Sequence, residues 1–149
     1  SSDLLFRDKI DEIMEQVKCP VAVFVNRQYR EGTTVSFVLG GMIDLFLFSY
    51  LDKMLQNGHS VRLFLFDTDD EEFRGRIDDL QVRYPEQTMI VWFEGVEDLV
   101  TEEKDGLLIM SHLSYTKLSE DEAVMRELSS LLVIRRNKNT GDKNEGLEN

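Results

Sequence analysis

The sequence predicts an α/β protein built on a doubly wound, mostly parallel sheet of five or six strands, and three observations carry that prediction. Short apolar runs recur along the chain. Segments of helical spacing or helix-forming composition separate most of them. One apolar run, 35–39, passes directly into Gly40-Gly41, a tight turn between strand and helix.

Taken in order, Leu4, Leu5, Ile10, Ile13, Met14 and Val17 recur at helical spacing behind Asp3, a suitable N-cap, and Pro20 ends the pattern. Val21-Ala22-Val23-Phe24-Val25 is rich in β-branched residues and reads as a buried strand before the polar loop 26–32. The next strand is 35–39. After the glycine pair, Ile43, Phe46, Leu47, Tyr50, Leu51, Met54 and Leu55 mark a helix that stops at Asn57-Gly58. Strand 61–66 then follows a helix, so it lies parallel to 35–39 through a right-handed crossover. A polar helix over 69–84, strand 88–93, an acidic stretch 94–104, strand 107–110, helix 120–128 and strand 131–134 complete the alternation. Trp92 and Phe93 are expected in the core. Residues 137–149 contain no Val, Ile or Phe and read as a disordered tail.

The 149 residues suit one ordinary core. A net charge of -12, from 17 basic and 29 acidic residues, argues against nucleic acid and anionic lipid as partners. The lone Cys19 forms no internal disulfide, and with His59 and His112 far apart it makes no metal cluster. The longest apolar run, around Phe46, is interrupted by Asp44 and Asp52, short of the roughly 20 residues that span a bilayer. Direct membrane insertion of this chain is not expected.

Two segments echo each other. Residues 17–27 and 127–136 share a helix end, a tight turn, an apolar strand and a basic stop at Arg27 and at Arg135-Arg136. The Cys19-Pro20 turn followed by the valine-rich strand resembles the end of a universal stress protein domain. Thr34-Val35-Ser36-Phe37-Val38-Leu39-Gly40-Gly41-Met42-Ile43-Asp44 resembles the segment opening the second half of the cytoplasmic region in monovalent cation:proton antiporters of the second subfamily, which includes the plant cation/proton exchangers. The likeness extends to 58–66 and, more loosely, to 105–110, and covers about residues 7–136. Ile43 departs from it by standing where the family carries a first Asp, and Asn26 by replacing an Asp before Arg27.

The resemblance implies a universal-stress-protein-like (adenine nucleotide alpha-hydrolase-like) domain over 34–136. Residues 1–33 would then be the closing helix and strand of a preceding, truncated domain, packed on the main sheet. It further implies a regulatory or sensory role, with no enzymatic activity, on the cytoplasmic face of the membrane. The partner would be a membrane transport domain of the same polypeptide that exchanges Na⁺ or K⁺ for protons. Homodimerisation is expected through the last strand, 131–134, or through the strand at 21–26. Two other readings share the fold: a stand-alone nucleotide-binding stress protein and a nucleotide-hydrolysing α/β enzyme.

Universal stress proteins that bind ATP carry a glycine-rich loop after the fourth strand. Here that place reads Ser111-His112-Leu113-Ser114-Tyr115-Thr116-Lys117-Leu118, with serines for the leading glycines. Tight ATP binding is not expected, and no cofactor is assigned. In doubly wound sheets ligands sit beyond the carboxyl ends of the strands, where the order reverses. Gly40, Gly41, Asp44, Asp67, Ser111 and His112 are therefore the candidate ligand-binding residues, for a small molecule with an adenine nucleotide among the candidates. His112 is the better of the two histidines for a pH response, and His59 reads as solvated. The acidic run 67–72 suits a helix start better than a metal, because it lacks a calcium loop's spacing and glycine. No catalytic residue is assigned.

Overall fold

A computed structural model describes residues 21–136. Among these, β2 (Val35–Leu39), β3 (Val61–Phe66), β4 (Thr88–Phe93), β5 (Leu107–Ser111) and β6 (Ser130–Arg135) run parallel. β1 (Val21–Val25) pairs antiparallel with β6. The six strands stand in the order β1-β6-β5-β2-β3-β4, so the chain winds outward from β2 to β4, then returns to the other side of β2 for β5 and β6. This reversal between β2 and β5 is the switch point of a doubly wound sheet. The predicted helix over 4–17, the Cys19-Pro20 turn and the tail 137–149 lie outside the described residues.

The sheet is covered on both faces, which is why its central strands are apolar runs interrupted only by Ser36 in β2 and Arg62 in β3. On one face Phe37, Leu39, Leu63 and Leu65 pack with Leu51 and Leu55 of α1 (Phe48–Gln56) and with Phe73, Ile77 and Leu80 of α2 (Glu71–Arg83). On the other, Val38, Phe64, Leu108, Met110, Leu131 and Val133 meet Tyr115 and Leu118 of α3 (His112–Leu118) and Val124 and Met125 of α4 (Glu122–Glu127). The alternation Phe37/Val38/Leu39 shows the period of two that sends neighbouring side chains to opposite cores.

Several boundaries differ from expectation. The helix after the glycine pair opens as a 3₁₀ segment, Met42–Leu47, before becoming α-helical. The expected helix 69–84 is Glu71–Arg83, because the Asp70 side chain accepts from the amides of Glu72 and Phe73 and so sets the start. The expected helix 120–128 is the shorter α4, and an unexpected helix, α3, precedes it; each is begun by its own cap, since Ser111 accepts from the Ser114 amide and Asp121 from the Val124 amide. Trp92 is not a core residue. It is 38 % exposed under the guanidinium of Arg74, 4.3 Å from its ring, while Phe93 is buried. β4 is an edge strand, and Met89 and Trp92 on it reach solvent.

The long return from β4 to β5 is pinned at Glu103. Its carboxyl accepts from Thr34 Oγ1 at 2.5 Å and from Arg62 at 2.6 Å. These two hydrogen bonds, Thr34 first, hold the Glu103 carboxyl below the usual glutamate value of 4.5. At the other end of the sheet, β6 has strand neighbours on both sides, β1 and β5. The expected pairing of 131–134 with a second copy has no open edge to use.

Candidate functional site

At the switch point β2 ends in Gly40-Gly41 and β5 in Ser111, and the chain leaves each strand toward a different face. Gly41 has φ 130° and ψ -160°, a conformation that only glycine adopts without strain. Its carbonyl accepts from the Asp44 amide at 3.0 Å, which closes the turn and starts the 3₁₀ segment. The result aims the Asp44 side chain back over the end of β2.

Asp44 is fully buried. Its Oδ2 accepts from the Gly40 amide at 2.6 Å and from the Ser114 hydroxyl at 3.1 Å, joining the β2 turn to α3 across 70 positions of sequence. A side chain on Gly40 would crowd this bridge, since a Cβ there would stand 3.3 Å from Asp44 Oδ2 and 3.5 Å from Ser114 Oγ. Asp44 Oδ1 is buried and accepts no hydrogen bond among the described residues. A buried acceptor left unmade costs about 1–3 kcal/mol, which concentrates uncompensated polarity at the switch point.

Five of the six candidate residues meet at this end of the sheet. Gly40, Gly41 and Asp44 belong to the β2 turn; Ser111 is buried at the end of β5 and caps α3; His112 follows as the first helical residue, half-buried, with its carbonyl accepting from Thr116 Oγ1. Asp67 does not join them. Its amide donates to the Phe93 carbonyl at 2.9 Å and its carboxyl pairs with Arg74 at 2.7 Å, so it turns toward β4 and α2. Asp67 serves as an anchor for α2, whose residue Arg74 also covers Trp92.

Ser114 is the residue at this end of the sheet that the list of candidates lacked. A Ser-x-x-Ser spacing at 111 and 114 signals a helix cap, but its bond to Asp44 has no local signature. Asp70, within the acidic run, is the α2 cap. No group of three or more His, Cys, Asp or Glu side chains that could hold a metal occurs among the described residues. No helix among them is long and apolar enough to cross a membrane.

A buried carboxyl oxygen with unused acceptor capacity, a serine hydroxyl and two turns sit where the two halves of the sheet diverge. Comparisons with known protein families, with curated proteins and with solved structures return no match.

Proposed function

We propose that the chain is a regulatory module that reads a small ligand at the switch point, without performing chemistry on it. The observation that carries this reading is the Gly40–Asp44–Ser114 bridge, in which one buried carboxyl ties the two diverging turns and keeps Oδ1 in reserve. A ligand donating a hydrogen bond to Oδ1 would favour the bridged arrangement over any arrangement with the turns apart. Differential affinity of that kind is what shifts a conformational equilibrium.

The parent activity follows from sequence resemblance alone. We take it to be monovalent cation:proton antiport by a membrane domain of the same polypeptide, with this module on the cytoplasmic side. Association of two copies belongs to the same proposal and falls to the outer edge of β1, the edge that β6 leaves open. Light scattering at high concentration is expected to give twice the chain mass, and a monomer would remove this part.

Calorimetry tests the binding reading directly. Adenine nucleotides are titrated into the native chain and into Gly41→Val, which cannot hold the turn. The expected result is a weak, saturable heat that the variant loses. Absence of heat at millimolar nucleotide sinks the nucleotide reading.

A further inference from the structure

The most unusual group outside the switch point is Arg135, the last residue of β6. It is 8 % exposed, and its Nε and both terminal nitrogens are buried without a hydrogen-bond partner among the described residues. Arginine keeps its charge throughout the pH range in which proteins stay folded and carries five donors in a rigid fork. A buried guanidinium with neither counterion nor acceptor is among the least favourable groups a fold can hold. The neighbouring Arg136 shows the ordinary outcome: it stacks over the Phe46 ring at 5.6 Å.

Position gives this group its meaning. Leu131 and Val133 belong to the core under α3 and α4, so the strand's period of two puts Arg135 on that same face. Val21, its partner on β1, packs against that core as well. Ile134 pairs with Ser111, so Arg135 lies one residue beyond the end of β5, beside the start of α3. It therefore stands at the carboxyl end of the sheet, on the strand next to the switch point.

We propose that Arg135 anchors a small soluble anion, through a carboxylate or phosphate group, at the carboxyl end of β6. The planar fork matches two oxygens of such a group, and a desolvated site strengthens the pair. The net charge of -12 disfavours an extended polyanion, so the ligand is a compact one recognised at short range. This inference does not depend on the switch-point reading, because it rests on a different residue, strand and charge.

The test uses the whole 149-residue chain, dialysed into a zwitterionic buffer, with inorganic phosphate and malonate as probes. Both Tm and calorimetric affinity are followed. At least one probe is expected to raise the Tm saturably. Arg135→Met, close in length and apolar, is expected to bind at least tenfold more weakly while melting no lower than the parent without anion. Arg135→Lys keeps the charge without the fork and is expected to fall between them. Two results overturn the proposal: equal Tm shifts in parent and Met variant, or no saturable shift in the parent with either probe. If Arg135→Met does not fold, unchanged probe affinity in Arg135→Lys overturns it. Asp44→Asn separates the two sites: it is expected to leave phosphate affinity intact whatever it does to nucleotide heat.

Discussion

Asp44 shows how one side chain can hold a loop and an incomplete site together. Removing it strips acceptors from the Gly40 amide and the Ser114 hydroxyl at once. Asp44→Ala is expected to lower stability by about 1–3 kcal/mol. A double-mutant cycle with Ser114→Ala, read by urea unfolding, is expected to return a coupling of about 1 kcal/mol; strict additivity would show that the 3.1 Å contact carries no energy. Glu103 makes a second residue-scale prediction. Its carboxyl titrates below its ordinary value in the folded chain, so its contribution is complete above about pH 4.5 and is lost as pH falls through the lower folded value. Stability against pH for the native chain and for Glu103→Gln should differ by a constant amount near neutrality and converge in acid. The side chain is 44 % exposed, so the difference is small and shrinks with added salt.

At the scale of elements, α2 illustrates what a cap does. Asp70 satisfies two otherwise unpaired amides at the start of a 13-residue helix that carries Phe73, Ile77 and Leu80 into the core. Asp70→Ala is expected to cost about 1 kcal/mol, measured as a lowered urea midpoint with an unchanged slope. The strands were the legible part of this protein, because 35–39, 61–66 and 107–110 lie between two cores and leave apolar runs that only Ser36 and Arg62 interrupt. α3 was not legible: it has seven residues, and only Leu113, Tyr115 and Leu118 are apolar, too short a stretch for a period to emerge. The position of five candidate site residues followed from strand order, since every parallel strand ends on the same side. Asp67 failed that rule because its local pairing with Arg74, seven residues on, outweighs its place at a strand end. The Asp44–Ser114 bond spans 70 positions and depends on the crossover, which no local pattern encodes.

The whole molecule is two cores sharing one wall. Leu63 and Met110 are fully buried on opposite faces of the same sheet. Each replaced by Ala is expected to cost about 2–5 kcal/mol. Since β2, β3 and β5 contribute to both cores, the two losses should appear in one cooperative transition, seen alike by Trp92 fluorescence and by circular dichroism. Separate transitions for the two probes would show that the faces unfold independently.

β1 and β6 lie antiparallel, with Val21 opposite Arg135, so the backbone enters the first strand and quits the last from the same side of the sheet. Tension applied at these two points loads the ladder like a zipper, parting its cross-links one after another beginning at Val21. Tugged by a neighbouring body, the protein would shed its border strand at modest force while the five parallel strands behind it stay bonded.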